Sequence, residues 1–86
     1  MEVGCQFSVY PLGTERLSPG IEAALAAVRA RGLRPEPGPM ATQVVGPVDR
    51  VFAALCDAFV AAAGEACVMT ITVSNACPLA GDEMGE

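Results

Sequence analysis

Residues 4–13 (GCQFSVYPLG) alternate between apolar and polar positions and predict a β-strand with two different faces. Successive side chains of a strand point to opposite sides of the sheet. The apolar face carries Cys5, Phe7 and Val9, and the polar face carries Gln6, Ser8 and Tyr10. The polar face consists of hydrogen-bonding groups, which need partners wherever they are buried.

Apolar residues recur at helical spacing in two segments, which we predict to be α-helices over 19–31 and 46–64. Ser18 followed by a proline is a typical helix start, and Gly32 is a typical helix end. The expected buried face of the second helix consists of Val48, Val51, Phe52, Leu55, Phe59 and Val60. Cys56 lies within this pattern, and we expect it to be a small buried residue.

Three more segments are rich in β-formers and predict strands over 33–36, 40–45 and 67–75. The prolines at positions 35 and 37 lack N–H groups, so we expect this second strand at a sheet edge. The order βαββαβ with right-handed crossovers predicts an α+β ferredoxin-like sandwich, with an antiparallel sheet in the order 4-1-3-2 and both helices on one face. We expect the domain to span 1–78 and a flexible acidic tail to follow at 79–86.

This topology predicts which side chains the helices cover and which they leave open. The covered set is Phe7, Val9, Val44, Ile71 and Val73, and the open face carries Gln6, Ser8, Tyr10, Gln43, Val45, Thr70, Thr72 and Ser74. An ordinary solvated face uses charged residues freely, whereas this set has none. Neutral amides and hydroxyls fit a subunit interface, a polar ligand pocket or both, beside the simple alternative of a solvated face.

Length and charge limit the classes of protein to consider. With 86 residues the chain forms one small domain, and its aromatic content of 5% predicts a core built mainly from aliphatic residues. Alanine-rich helices on a small sheet leave much apolar area only half covered, so we expect a homo-oligomer. The net charge is −5 and no basic run occurs, which argues against nucleic-acid binding. No apolar run reaches bilayer length, so we expect a cytoplasmic protein without membrane insertion.

The residues of reactive sites are sparse. The chain has no His, and its cysteines at positions 5, 56, 67 and 77 form no CxxC pair, so we expect no metal site and no cofactor. Nucleophilic catalysis needs a base beside a nucleophile, and no such pair is evident. We therefore expect no enzymatic activity. A small enzyme that acts through a perturbed carboxylate is the alternative.

Three segments resemble a known family: GCQFSVYPLG at 4–13, TQVVGPVDRVFAAL at 42–55 and CVMTITVSNACP at 67–78. They are similar to the YkoF-like proteins that bind thiamine or hydroxymethylpyrimidine. The resemblance implies a ferredoxin-like domain that binds the pyrimidine part of thiamine without catalysis, in vitamin transport, salvage or sensing. It also implies assembly of single-domain members as dimers or tetramers. YkoF itself resembles two such domains in tandem, so here the pairing would come from a homo-oligomer.

An aminopyrimidine presents ring-nitrogen acceptors and an amino donor, so amides and hydroxyls beside an apolar wall suit it. The candidate ligand-binding residues are Gln6, Ser8, Tyr10, Thr42, Asp49, Thr72 and Asn75. Asp49 or Glu36 could face the cationic thiazolium of thiamine, although Asp49 also suits the first turn of a helix. The alternative function is an oligomeric interaction or regulatory domain whose open sheet face is only a subunit interface.

Overall fold

The computed structural model describes residues 1–13, 18–63 and 66–76. The elements in chain order are β1 (Glu2–Pro11), α1 (Ser18–Ala30), β2 (Glu36–Pro37), β3 (Thr42–Pro47), α2 (Val48–Ala62) and β4 (Cys67–Ser74). The predicted tail at 79–86 and the glycine predicted to end α2 lie outside the described residues, as does the side chain of Ser18.

The strands form one antiparallel sheet in the order β2-β3-β1-β4. This is the predicted order 4-1-3-2 read from the other end, and the ferredoxin-like prediction is confirmed. Strand β1 is central and pairs with β3 from Glu2↔Pro47 to Phe7↔Thr42. On its other edge β1 pairs with β4 from Gly4↔Ser74 to Pro11↔Cys67.

Strands β2 and β3 begin later in the chain than the β-former pattern predicts. Only residues 36–37 pair as β2, at the sheet edge, and β3 runs to Pro47, so Gly46 belongs to the strand rather than to the helix start. Leu33 is buried against Gly46, where an added Cβ would lie 2.7 Å from Leu33 Cδ2. The segment before β2 therefore packs over the end of β3 instead of pairing beside it.

The core between the sheet and the helices is built on small residues. Its buried members are Val3, Cys5, Phe7, Ala24, Val28, Leu33, Val44, Val51, Ala54, Leu55, Ala58 and Ala62. Alanines thus occupy much of the inward surface of α2, and they let its backbone lie close to α1 and the sheet.

The predicted buried face of α2 is wrong for its bulkiest residues. Phe52 is 52% exposed, and Phe59, Val60 and Cys56 are exposed as well. The predicted buried face contained only large apolar residues. In the structure the inward face consists of Ala54, Ala58 and Ala62 together with Val51 and Leu55. The helix is rotated so that the face with the small side chains packs into the core. The two phenylalanines lie on the outer flank of the helix.

The prediction that the helices cover Ile71 is also wrong, since Ile71 is 45% exposed. Ile71 pairs with Phe7 and therefore shares its face of the sheet. However, β4 is the edge strand, and α2 contacts β1 and β3 more extensively than β4. Val9 and Val73, by contrast, are partly buried against the core as expected.

One ion pair joins the two helices at the surface. Arg31 Nε donates to Asp57 Oδ2 at 2.6 Å, and the guanidinium lowers the pKa of the Asp57 carboxyl below its ordinary value. Both side chains are exposed to solvent, so water screens the attraction and the pair contributes little to stability. Its location shows which side of α2 faces α1.

Burial predicts very different costs for truncating two phenylalanines. Phe7 is 3% exposed, so Phe7→Ala should lower the free energy of unfolding by about 3–5 kcal/mol in urea denaturation. Phe52→Ala is the matched control, and at protein concentrations low enough to keep the chain monomeric it should change the same free energy by roughly 0.5 kcal/mol, because Phe52 lies outside the core. Equal costs for the two variants would contradict the packing described above.

Candidate functional site

The candidate site arises where the two ladders of β1 end at different residues. The β3 ladder ends at the pair Phe7↔Thr42, whereas the β4 ladder continues to Pro11. Before Thr42 the chain turns back toward β2 through a tight hairpin, in which the Gly38 N–H donates to Ala41 O at 3.0 Å. The β3 side of β1 therefore has no neighbouring strand along Ser8–Tyr10, and a gap opens there between the sheet and α1.

A cavity of about 220 Å³ fills this gap. Its lining comes from β1, from α1 and from the hairpin: Phe7, Ser8, Val9, Tyr10, Ile21, Ala24, Leu25, Pro37, Gly38, Pro39, Met40, Ala41 and Thr42. The walls are mostly apolar, with hydroxyl groups from β1 and β3. Ser8 Oγ donates to Met40 O at 3.0 Å and so ties the hairpin to the central strand.

A second cleft of about 300 Å³ lies on the open face of the sheet and shares the hairpin with the first cavity. Its polar lining comes from Gln6, Glu36 and Gln43. The register aligns Glu36 with Gln43, Gln43 with Gln6, and Gln6 with Thr72, which gives one polar row across all four strands. Directly paired residues share a face, so the expectation that the open face carries no charge is wrong at Glu36.

The structure groups only some of the predicted ligand-binding residues. Gln6 and Thr72 are neighbours in the polar row, and Gln6 lines the open-face cleft. Ser8, Tyr10 and Thr42 line the cavity. Thr42 reaches it from the helix side of the sheet, because Thr42 pairs with Phe7.

Asp49 and Asn75 lie at the opposite end of the sheet. Asp49 is in the first turn of α2, just after Pro47, which pairs with Glu2 at the beginning of β1. Asn75 follows the end of β4, and its Nδ2 lies 3.8 Å from Met1 Sδ. At about 3.4 Å per residue, the length of β1 separates this end from Tyr10 by roughly 27 Å. Neither Asp49 nor Asn75 lines the cavity or the cleft.

Other lining residues were absent from the sequence-based set. Ile21 and Leu25 lie within the predicted first helix and were not among the candidate ligand-binding residues, although both line the cavity. The hairpin residues carried a turn signal, because glycine and proline alternate over 37–39. Nothing in the local sequence shows that this turn lies against β1, since that contact depends on the register of β3.

The described residues offer limited reactive chemistry. Burial raises the pKa of the Cys5 thiol from 9.0 to about 11, so this thiol stays protonated near neutral pH and is a poor nucleophile. Across 1–13, 18–63 and 66–76, no three His, Cys, Asp or Glu side chains gather where they could hold a metal ion. In the same part of the chain, no helix is both long and apolar enough to cross a membrane.

Comparison with known proteins identifies relatives of both the sequence and the fold. The YKOF-related family matches residues 2–80. No curated protein matches the chain by sequence. Among solved structures, the hypothetical protein MJ1052 of Methanocaldococcus jannascii superposes with a TM-score of 0.78 at 21% identity, over 86% of this chain and 79% of that one. A domain of unknown function, DUF77, from Bacillus cereus gives 0.75 at 26% identity, over 85% and 74%.

A third similar structure comes from Thermotoga maritima and is described as a candidate thiamine biosynthesis/salvage protein, TM0486. It superposes with a TM-score of 0.74 at 20% identity, over 98% of this chain and 91% of that one. At this level of identity the likeness establishes a shared fold.

The burial of Cys5 predicts unequal reactivity of the thiols. At pH 8 the exposed Cys56 should react rapidly with a disulfide reagent, whereas Cys5 should react only after unfolding. Peptide mapping by mass spectrometry locates the modified residues, and a Cys56→Ser variant identifies the fast phase. Rapid labelling of Cys5 in the folded protein would contradict its burial.

The pKa of the Cys5 thiol is higher in the folded protein than its ordinary value. The free energy of unfolding should therefore decline as the pH rises from 9.0 to about 11, because the unfolded chain loses this proton first.

Proposed function

The chain belongs to the YKOF-related family, and on that premise we propose that it binds thiamine or its hydroxymethylpyrimidine moiety without transforming it. The carrying observation is the cavity beside Thr42 at the start of β3, which Ser8 and Tyr10 of β1 also line. The thiamine-related description of the Thermotoga protein supports the same choice of ligand. We place this role in the cytoplasm, in vitamin transport, salvage or sensing.

The cavity suits a single substituted ring. Pockets for drug-sized ligands usually measure about 300–1,000 Å³. The volume here is about 220 Å³, which favours the pyrimidine over the whole of thiamine as the enclosed group. Phe7, Ile21 and Leu25 supply an apolar wall, and the hydroxyls of Ser8 and Thr42 lie within the same lining. Ring nitrogens and an amino group need polar partners of this kind.

The thiazolium of thiamine is a cation, and the neighbouring cleft contains a carboxylate that suits it. Glu36 lines that cleft at the end of the polar row, and the cleft and the cavity share the hairpin from Pro37 to Ala41. The overall charge of −5 adds a favourable long-range field for a cation. We propose that the pyrimidine occupies the cavity and that the thiazolium lies toward Glu36.

A second candidate function, a protein-interaction module, is favoured by the edge strand β4. Charged residues and prolines usually prevent an edge strand from pairing with another chain. The eight residues of β4 include neither. The opposite edge is protected, because β2 has only two residues and one of them is proline. The outer flank of α2 and Ile71 of β4 add exposed apolar surface. We therefore propose a homodimer or homotetramer, with or without a bound ligand.

Calorimetric titration with hydroxymethylpyrimidine and with thiamine tests the binding function. We expect saturable micromolar binding, about −8 kcal/mol, to at least one ligand. Glu36→Gln should weaken thiamine binding about two- to fivefold and leave hydroxymethylpyrimidine binding unchanged, because only thiamine carries the cation. Asp49→Asn is the matched control at the far end of the sheet and should affect neither ligand. Absence of heat with both ligands would refute the proposed function.

Sedimentation at micromolar concentration, with and without ligand, tests the assembly. Thr70→Lys places a charge on the exposed edge strand and should shift the protein toward smaller species. Ala26→Lys makes the same charge change on the exposed side of α1 and should leave the size unchanged. A parent protein that sediments as a monomer at these concentrations would exclude the proposed oligomer.

A further inference from the structure

The direction of the main-chain groups along β1 follows from two hydrogen bonds at its ends. The Leu12 N–H donates to Ala66 O at 3.0 Å on the β4 side, and the Val48 N–H donates to Met1 O at 2.9 Å on the β3 side. In an antiparallel ladder, hydrogen-bonded pairs alternate with non-hydrogen-bonded pairs. Even-numbered residues of β1 therefore direct their N–H and C=O groups toward β4, and odd-numbered residues direct theirs toward β3.

Val9 is the odd-numbered residue that lies beyond the end of the β3 ladder. Phe7 pairs with Thr42, so the next partner in the same register would be Met40. Met40 instead lies in the hairpin turn, where its carbonyl oxygen accepts the hydrogen bond from Ser8 Oγ. The N–H and C=O of Val9 thus point into the gap, and Val9 lines the cavity. Among the described residues, these two groups have no main-chain partner on that side.

We propose that the main chain of Val9 is the recognition element of the cavity and that it pairs with the edge of a 4-aminopyrimidine. The Val9 N–H donates to the ring nitrogen next to the amino group, and the amino group donates to the Val9 carbonyl oxygen. In this arrangement the ligand takes the place of the strand residue that β3 does not supply. The inference rests on the proposed function and specifies which chemical group of the ligand is recognised.

The surroundings of Val9 suit the rest of such a ring. A ring paired with Val9 would continue the plane of the sheet, and Ile21 and Leu25 of α1 line the cavity on the helix side. Val9 is partly buried, and main-chain donors and acceptors that are shielded from water are costly when unpaired. A ligand that satisfies both groups therefore gains more than its apolar contacts alone provide.

This pairing also explains discrimination between pyrimidines. When a carbonyl oxygen replaces the amino group, the adjacent ring nitrogen carries a proton. The edge then presents an acceptor to the Val9 carbonyl and a donor to the Val9 N–H. Both contacts become repulsive, and specificity follows from this mismatch rather than from the size of the cavity.

The first test uses nuclear magnetic resonance on the full chain labelled with ¹⁵N, titrated with hydroxymethylpyrimidine. We expect the Val9 amide proton to shift downfield and to become protected from solvent exchange, and the 4-oxo analogue to bind at least about tenfold more weakly. Saturable binding that shifts the amides of Gln6 and Thr72 while Val9 stays unchanged would overturn this inference and leave the proposed function intact. Absence of binding by calorimetry would refute both.

A pair of variants provides the second test. Val9→Pro removes the N–H that faces the cavity and preserves the ladder to β4, because that ladder uses the even-numbered residues. Val9→Ala is the control, since it retains the N–H and shortens the side chain. Hydroxymethylpyrimidine should bind Val9→Pro at least about fivefold more weakly than Val9→Ala, with thermal unfolding as the check on folding. Equal affinities in two folded variants would overturn the inference, and if Val9→Pro does not fold, the Val9 amide shift decides.

Discussion

The unequal length of the two ladders along β1 is the constraint from which the candidate site follows. The pairing with β4 continues to Pro11, whereas the pairing with β3 stops at Phe7. A central strand normally has partners along both edges, but β3 begins only at Thr42, so a short stretch of β1 has no strand on that side. The hairpin at 38–41 and the start of α1 enclose that edge. The cavity is therefore a consequence of sheet register.

Alanine packing accounts for the second prominent feature, the apolar outer flank of α2. Ala54, Ala58 and Ala62 face the core, and their small volume allows the helices and the sheet to lie close together. The larger side chains Phe52 and Phe59 have no room inside and lie at the surface. A small domain that exposes such residues beside an uncharged edge strand has two reasons to associate with a second copy.

The cavity and the open-face cleft divide their chemistry between the two sides of one sheet. The cavity presents apolar walls, hydroxyls and the main chain of Val9, whereas the cleft presents amides and the Glu36 carboxylate. The hairpin forms a wall of both. A ligand with a neutral ring joined to a cationic ring matches this division, because each ring meets the environment that compensates its loss of hydration.

Alternation, helical spacing and proline geometry are local properties of the chain, and they were enough to predict the fold class, the element order and the placement of β2 at an edge. The sequence also indicated the polar row through Gln6 and Thr72. The rotation of α2, the exposure of Ile71 and the inclusion of Ile21 in the cavity depended on how whole elements pack, which local periodicity does not encode. The separation of Asp49 and Asn75 from the cavity, and the position of Glu36 on the open face, followed from register. Register is decided only when the strands pair, so the stop of the β1–β3 ladder two residues before Val9 cannot be read from local patterns.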